Sequence, residues 1–396
     1  MNQHINLWHG LVRIPVVGSP RMDALTLDLV PAGEAAARLG ISRASLYAYV
    51  SRGLIRSFAA PEAPRRRLYA ADDIAALVRQ RNRLRRPRVA AATALDWGLP
   101  VLDTGITQVR DGRLFYRGRD ALDLAETASF EAVARLLVGA PGLSPEPACP
   151  RDLGGSFLAR AIGALADRAD APTPAAAAGA ILGLIASAAT GSAFAGGPID
   201  AHLAAAWGAG PDGRDAIRRA LILSADHELS ASAFAVRVVA STGAGLALAV
   251  VAGLAALSGP RHGGATDRVR TLVEESGHAA SARRLRERLR ESGPPVGFAH
   301  PLYPDGDPRG PALLSGLPVS RRDARVLQTA TDAGGRPTLD AGLVLLERAY
   351  RLPRPAAFII FAVGRSAGWL AHAVEQRATG ALIRPRARYV VTDAVQ

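Results

Sequence analysis

Two long stretches of small apolar residues restrict what this chain can fold into. Residues 174–195 and 231–257 are rich in Ala, Gly, Ser and Thr. Each reaches roughly 20 residues, which is enough to cross a bilayer. The second contains Arg237, however, and neither has the Leu and Phe content of a typical membrane span. We therefore expect buried helices of a soluble protein, with membrane spans as the disfavoured alternative.

The remaining sequence also favours closely packed helices. Hydrophobic residues make up 49% of the 396 residues but aromatic residues only 5%, so Ala, Leu and Val must build the core. Alternating residues on both sides of Asp111-Gly112 predict one β-hairpin, with strands Thr107–Arg110 and Arg113–Arg117. Strands and helices do not alternate regularly, which disfavours a parallel sheet, and we predict an all-α body.

Positive charge is concentrated at the N-terminal end. The chain has no lysine, so all 48 basic residues are arginines, against 35 acidic residues. Residues 1–90 hold 15 arginines and 6 acidic residues, a net charge of +9, which leaves +4 of the total of +13 for the rest. Such a basic block indicates a nucleic-acid-binding module joined to a nearly neutral body.

The pattern of residues 31–88 supports this interpretation. It predicts a helix at Ala32–Leu39, a turn with Ser42 as the N-cap of a second helix, Arg43–Ser51, and then a wing. The wing consists of an extended stretch at Leu54–Ser57 and a return strand at Arg65–Tyr69, and a third helix follows at Ala71–Arg83.

This order of helix, turn, helix, wing and helix resembles the DNA-binding domain of MerR-type regulators, a winged helix-turn-helix. The resemblance implies that the second helix enters a major groove and that the wing contacts phosphates. The candidate DNA-binding residues are Arg43, Ser45, Arg65, Arg66 and Arg67. The alternative is a helical appendage that serves dimerisation or has no binding role.

The expected organisation has three parts. Residues 1–30 form an N-terminal arm that we expect to be disordered, and the chain start is either Met1 or Met22. Residues 31–88 form the helix-turn-helix domain, ending in a basic connector at 81–88, and residues 89–396 form the body. A charged, solvent-exposed helix is predicted at Ala282–Glu291. With Cys149 as the single cysteine and no secretory signal pattern, we expect a cytoplasmic protein.

Three short segments of the body carry an acid–base set. His262 lies in SGPRHGGA, His300 in GFAHPLYPDGDPR, and Asp340 in LDAG next to an apolar helix. Two histidines and a partly desolvated carboxylate are what proton abstraction next to a carbonyl requires. The histidines show no metal-ligand spacing, so no metal site is predicted, and neither a dinucleotide-binding nor a Walker loop is found.

From about Leu99 to Tyr389 the chain resembles a short bacterial citrate synthase. The segments that match, in the family's order, are ADHELSASAFAVRVVAST, ALSGPRHGGA, GFAHPLYPDGDPR, FAVGRSAGWLAH and LIRPRARY. The resemblance implies an all-α fold with a large domain, a smaller domain at roughly 265–362 and an active site in the cleft between them. It also implies a homodimer with no permanently bound cofactor.

The resemblance also assigns roles to residues. Asp340 would deprotonate acetyl-CoA, His262 would stabilise the enol, and His300 would polarise the ketone of oxaloacetate. His227, Arg309 and Arg365 would bind oxaloacetate, together with Arg384 of the partner subunit. Pro304 stands where the family often has a basic residue near CoA, which leaves propionyl-CoA, and thus 2-methylcitrate synthase activity, open. A second function class remains: a transcriptional regulator whose body senses a dicarboxylate or an acyl-CoA without turnover.

Overall fold

A computed structural model describes residues 29–387 and 389, apart from gaps at 52–53, 61–62, 76, 79–101, 151–153, 167, 169–170, 172 and 277–294. Three predictions lie outside the described residues: the arm up to residue 28, the basic connector 81–88 and the charged helix Ala282–Glu291. The chain divides into two compact units, Met1–Leu102 and Asp103–Gln396.

The first unit is a small three-stranded sheet with helices. Its elements are β1 (Leu29–Pro31), α1 (Ala32–Leu39), α2 (Arg43–Ser51), β2 (Ser57–Ala60) and β3 (Ala63–Ala70). The strand order is β1-β3-β2, with both pairs antiparallel. Residues 71–75 are helical, as the predicted third helix requires.

Local chemistry explains the turn between α1 and α2. Gly40 ends α1 in the left-handed region, with φ 60° and its N–H bonded to carbonyls of α1. Ser42 then accepts a hydrogen bond at its Oγ from the backbone N–H of Ser45, at 3.1 Å, as expected of an N-cap. Leu46 of α2 is fully buried in the core of this unit. The predicted helix-turn-helix is therefore confirmed.

Two predicted boundaries in this unit are wrong. Leu29 and Val30, assigned to the disordered arm, form strand β1 because their apolar side chains are buried and pair with Ala70 and Tyr69. The first wing strand begins at Ser57 rather than Leu54. Before it, Arg56 bonds to Asp73 with its backbone N–H and its guanidinium, at 2.8 to 2.9 Å, which holds this stretch against the following helix.

The second unit is mostly helical, and its fold class is as predicted. Its strands are β4 (Thr107–Arg110), β5 (Arg113–Tyr116) and β6 (Arg119–Asp120). Its first helices are α3 (Ala121–Thr127), α4 (Phe130–Val138), α5 (Phe157–Ala166), α6 (Pro174–Thr190), α7 (Ile199–Trp207), α8 (Pro211–Ser224), α9 (Ala231–Ser241) and α10 (Leu246–Leu257). The later helices are α11 (Ala265–Ser276), α12 (Arg309–Leu314), α13 (Arg321–Asp332), α14 (Leu339–Ala349) and α15 (Ala356–Thr379).

The β4–β5 hairpin is confirmed in its predicted register, with Arg110 opposite Arg113. Asp111 and Gly112 both have positive φ, at 51° and 71°, as a two-residue turn of this kind requires. The short strand β6 pairs with the outer side of β5.

Helix α15 forms the centre of the unit. It packs against α4, α6, α8, α9, α10 and α14. In the described part of the chain it is the one helix long and apolar enough to span a membrane, but 94% of its most apolar window is buried inside the protein. It is therefore a core helix, and its interior residues are inaccessible because other helices surround it.

The stretches of small residues form shorter helices than their length suggested. Residues 231–257 divide into α9 and α10, separated at Thr242–Gly245, and the helix beginning at Pro174 ends at Thr190. Their glycines allow close helix crossings, as at Gly253, where an added Cβ would overlap the ring of Trp369 on α15. This packing accounts for the low aromatic content.

Candidate active site

Two of the predicted histidines meet directly. His227 follows the end of α8, and His300 lies in the loop before α12. Their ring centroids are 5.0 Å apart and nearly perpendicular. Tyr303 completes this group: its hydroxyl is 3.0 Å from His227 Nε2, and its ring centroid is 5.2 Å from that of His300.

The proton position on His300 follows from its backbone environment. Its Nδ1 accepts a hydrogen bond from the N–H of Leu302 at 3.2 Å. The neutral ring must then carry its proton on Nε2. Burial, with a further contribution from Arg309, lowers the pKa of His300 to about 4, so the ring is neutral at pH 7.

His262 lies in the glycine-containing loop between α10 and α11. Its Nε2 is 2.8 Å from the Oγ of Ser232, at the start of α9, and its ring packs edge-on against Phe361 of α15. Burial lowers its pKa to about 3, and the positive charge of Arg365 contributes. His262 is therefore a neutral hydrogen-bonding group.

Asp340 lies in the first turn of α14, which begins at Leu339, two residues before the predicted start at Ala341. Thr338 occupies the N-cap position, so the helix includes Leu339. Burial raises the pKa of Asp340, while the nearby Arg309 opposes that rise. A carboxylate with a raised pKa accepts a proton more readily than an exposed one.

Arg309 and Arg365 are both buried, with 3% and 1% of their surface exposed, but their partners differ. Arg309 forms a bidentate ion pair with Asp307, with both nitrogen–oxygen distances at 2.9 Å. Arg365 bonds instead to the carbonyl of Ser224 at 2.8 Å and to the Oγ of Ser230 at 3.3 Å. Among the described residues, no carboxylate forms an ion pair with Arg365.

The charges of this cluster influence one another. Burial lowers the pKa of His227 well below its usual value, and Arg309, His300 and Arg365 lower it further. His227, His262, His300, Asp340, Arg309 and Arg365 are thus all within electrostatic reach of at least one other member. The structure brings six of the seven predicted residues of the body into one site.

The seventh, Arg384, is exposed on the segment after α15 and makes no hydrogen bond or ion pair with any described residue. Its predicted role belongs to the partner subunit, so this position in a single chain agrees with that role without testing it.

Sequence reasoning missed Tyr303 and Asp307, although both lie in the segment GFAHPLYPDGDPR that it singled out. Asp307 is fully buried, and besides Arg309 it accepts a hydrogen bond from the N–H of Leu339 at 3.2 Å. It therefore connects the His300 loop to the helix that carries Asp340. The sequence did offer one signal for Asp307, because this acidic residue lies two positions before Arg309, a candidate carboxylate-binding residue.

The predicted DNA-binding residues are only partly described. Ser45 is exposed on α2, and Arg66 and Arg67 are exposed on β3. The side chains of Arg43 and Arg65 lie outside the described set, although their backbones belong to α2 and β3. No group of three or more metal-ligating side chains occurs among the described residues.

Comparison with known proteins places the chain in a family. Residues 166–386 match the citrate synthase C-terminal domain, and residues 32–82 match a helix-turn-helix domain. The chain therefore belongs to the citrate synthase family and carries an N-terminal helix-turn-helix domain.

Curated relatives include enzymes of two specificities. Over 216 residues the chain is 33% identical to the putative citrate synthase 2 of Mycobacterium tuberculosis, which covers 48% of this chain and 56% of the relative. It is 35% identical over 191 residues to citrate synthase 2 of Bacillus subtilis (45% and 51%) and 35% over 189 residues to a 2-methylcitrate synthase of M. tuberculosis (44% and 47%). The chain spans about half the length of the curated relatives it matches.

Solved structures agree on the fold. Citrate synthase from Thermotoga maritima aligns with a TM-score of 0.62 at 23% identity, covering 76% of this chain and 96% of that one. A ternary complex of citrate synthase from Thermoplasma acidophilum with carboxymethyl coenzyme A and oxaloacetate aligns with a TM-score of 0.61 at 21% identity, covering 75% and 96%. The predicted citrate synthase fold is confirmed.

Proposed function

We propose that this protein condenses acetyl-CoA with oxaloacetate to give citrate and CoA. The observation that carries the proposal is the group of Asp340, His262 and His300 beside Arg365, a buried guanidinium without a carboxylate partner among the described residues. A bound dicarboxylate would supply that partner.

The chemistry proceeds in three steps. Asp340 takes a proton from the methyl carbon of acetyl-CoA, while His262 donates a hydrogen bond to the thioester oxygen and stabilises the enol. The enol carbon attacks the ketone carbon of oxaloacetate, and His300 gives the Nε2 proton to the new alkoxide. The proton that Asp340 took then returns through solvent to His300, and water cleaves the thioester of citryl-CoA to release citrate and CoA.

The electrostatics support neutral imidazoles in both roles. His262 and His300 have pKa values of about 3 and about 4, so neither adds a charge next to the buried arginines. A neutral imidazole still donates a hydrogen bond to a developing oxyanion. His227 would add a further polar contact to oxaloacetate, close to Tyr303.

The acyl donor is proposed as acetyl-CoA, with propionyl-CoA as a second substrate. The curated relatives include both citrate and 2-methylcitrate synthases at similar identity, so similarity alone favours neither. Pro304 offers no charge to CoA at a position that is often basic in the family.

A paired assay tests the function. Release of free CoA is measured with oxaloacetate and either acetyl-CoA or propionyl-CoA, for wild type, Asp340→Ala and, as a control, Asp332→Ala on the exposed surface of α13. We expect turnover by wild type and Asp332→Ala and its loss in Asp340→Ala. Absence of CoA release by the wild type with both thioesters would contradict an enzyme and favour the ligand-sensing regulator.

The active form is proposed to be a homodimer. Helix α10 exposes an apolar face in the single chain, with Leu248 43% exposed and Val251, Ala252 and Ala255 also accessible. A contiguous apolar surface of this kind is typical of an interface. Sedimentation should show a dimer that Leu248→Glu weakens; a wild-type monomer at micromolar concentration would contradict it.

Subunit mixing tests whether Arg384 acts across the interface. Arg365→Gln and Arg384→Gln should each be inactive alone. In a hybrid dimer, the subunit that keeps Arg365 receives an intact Arg384 from its partner. One of the two sites of the dimer is therefore complete. Random re-pairing should restore about a quarter of wild-type activity. If Arg384 serves its own subunit, mixing restores nothing.

DNA binding by the first unit is the second proposed function. Ser45 and Tyr47 are exposed on α2 of a confirmed helix-turn-helix, and exposed arginines follow on β3. A homodimer would present two such domains to a palindromic site.

Retention of genomic fragments upstream of the protein's own gene tests this second function. We expect salt-sensitive binding that is lost when Arg65, Arg66 and Arg67 are all changed to Ala. The matched control changes Arg321, Arg322 and Arg325, the arginines of α13, to Ala and removes the same charge from the other unit. Equal retention by both triple variants would contradict a specific role for β3.

A further inference from the structure

The β4–β5 hairpin contacts the residues on both sides of His227. From β4, the Thr107 hydroxyl donates to Oδ2 of Asp226 at 2.6 Å, and the N–H of Val109 donates to Oε1 of Glu228 at 2.9 Å. Thr107 and Val109 are two positions apart on one strand, so a single edge of the hairpin bonds to the residues immediately before and after the histidine.

Strand β5 adds a third contact. The hydroxyl of Tyr116 donates toward the carbonyls of Ile222 at 3.0 Å and Asp226 at 3.2 Å, and it lies 3.3 Å from the N–H of Asp226. Burial raises the pKa of Tyr116, so the phenol keeps its proton at any pH at which the protein is assayed. The hairpin thus also holds the end of α8.

Asp226 is fully buried and has a further partner on α15. Its Oδ2 lies 3.3 Å from Nε2 of His372, itself fully buried. Although burial opposes ionisation, the charge and hydrogen bond of His372, with Arg365 and Thr107, lower the pKa of Asp226. Gly368 of α15 lies against this carboxylate, and a Cβ there would overlap it.

The backbone beside His227 is strained. Glu228 has φ 47°, in the left-handed region that residues with a side chain rarely adopt. Such a conformation persists where surrounding contacts determine it, and such positions cluster at functional sites. Here the contacts are the Glu228 bond to β4 and the anchoring of Asp226.

We infer that the β4–β5 hairpin is a positioning element for His227, acting through Thr107 and Asp226 to hold the histidine ring against Tyr303 and His300. None of the hairpin contacts reaches the proposed reacting atoms, so the hairpin acts on them indirectly, through the segment that carries His227. The catalytic consequence rests on the proposed function, in which His227 binds oxaloacetate, but the placement of the ring does not.

The test removes one hydroxyl. Thr107→Val deletes the donor to Asp226 with almost no change in size, and Thr107→Ser restores it. Thr329→Val is the matched control: Thr329 is also buried, and its hydroxyl bonds to the Arg325 carbonyl within α13. All three variants are compared with wild type for thermal stability and for KM and kcat. The imidazole NMR signals of 15N-histidine-labelled protein are also compared. The signal that disappears in His227→Gln is assigned to His227.

We expect Thr107→Val to raise KM for oxaloacetate about tenfold, since it removes the shorter of the two hydrogen bonds to a buried carboxylate oxygen. KM for the acyl-CoA should stay unchanged. The His227 signal should shift in Thr107→Val and return in Thr107→Ser. Thr329→Val should lower the melting temperature without either effect.

Two outcomes overturn the inference: an unmoved His227 signal in Thr107→Val, or an equal change in Thr329→Val. Failure of the proposed function would look different. Wild type would then show no turnover, while the His227 signal would still report whether the hairpin holds the ring.

Discussion

Arginine occurs in two different settings in the two units of this protein. On β3 of the first unit, Arg66 and Arg67 are exposed on a small domain. In the second unit, Arg309 and Arg365 are almost fully buried and held by short hydrogen bonds. An exposed guanidinium can follow any phosphate that approaches, whereas a buried one recognises a single fixed geometry. Net charge alone therefore indicated the nucleic-acid hypothesis but not the carboxylate site.

The two buried arginines, Arg309 and Arg365, also differ from each other. Arg309 already has a carboxylate, Asp307, and the ion pair raises its pKa against the effect of burial. Burial lowers the pKa of Arg365. The charge of Asp226 opposes this lowering, but it acts through space, without an ion pair between the two side chains. Arg309 is thus satisfied before substrate arrives, and Arg365 gains most from a dicarboxylate. The following predictions test this ranking, from the largest expected effect to the smallest.

Arg365→Gln should lower kcat/KM for oxaloacetate by roughly a hundredfold to a thousandfold, the usual cost of deleting one partner of a buried charge pair. The measurement is CoA release at varied oxaloacetate. Arg325→Gln, at an exposed site on α13, should leave the value unchanged. A loss of less than about threefold in Arg365→Gln would remove the distinction between the two buried arginines.

Asp307→Asn should lower the free energy of unfolding by about 3 kcal/mol, because it leaves the Arg309 charge buried without its carboxylate. Urea unfolding measures the change. The double variant Asp307→Leu with Arg309→Met should recover much of the loss, since an apolar pair of similar volume needs no counter-charge. A double variant no more stable than Asp307→Asn would indicate that the loss comes from the Leu339 contact instead.

Burial keeps the histidines of this site neutral, and this gives stability a pH dependence. The folded pKa of His262 is about 3, against 6.5 for the unfolded chain. Between these values the unfolded state binds more protons, so stability falls on acidification below about pH 6.5. From there to pH 5, His262 alone contributes a loss of about 2 kcal/mol. His262→Gln should flatten the slope of unfolding free energy against pH; an unchanged slope would mean that His262 protonates in the folded state.

The sequence predicted which residues lie together in the site better than it predicted how they pair. His262, His300 and Asp340 were recognisable because glycines, prolines or apolar residues flank each of them. The Asp307–Arg309 pair was not, because spacing does not say whether an arginine faces its neighbour or an open pocket. The hydrogen bond between Thr107 and Asp226 joins residues 119 positions apart, and only the packed hairpin reveals it.

Boundaries were predicted less well for a related reason. The apolar stretch 231–257 was read as one helix because its apolar residues are continuous, whereas the structure breaks it at Thr242–Gly245, where Gly243 has φ 85°. Strand β1 was missed because Leu29 and Val30 form no pattern alone; they become a strand by pairing with β3. In both cases tertiary packing decided what local sequence left open.

The smallest effect concerns the exposed arginines. Side chains alternate along a strand, so Arg67 shares its face of β3 with Tyr69, while Arg66 points to the opposite face. Tyr69 belongs to the same buried core as Leu46 of α2, so the face of Arg67 is the one toward the proposed recognition helix. Arg67→Ala should therefore weaken DNA retention and reduce the slope of log affinity against log salt by about 0.9, the value for one phosphate contact.

Arg66→Ala carries the same charge change on the other face and should leave the slope close to wild type. Equal slopes in the two variants would show that the basic surface acts through its total charge. The exposed arginines would then differ from Arg309 and Arg365, whose positions are fixed by hydrogen bonds.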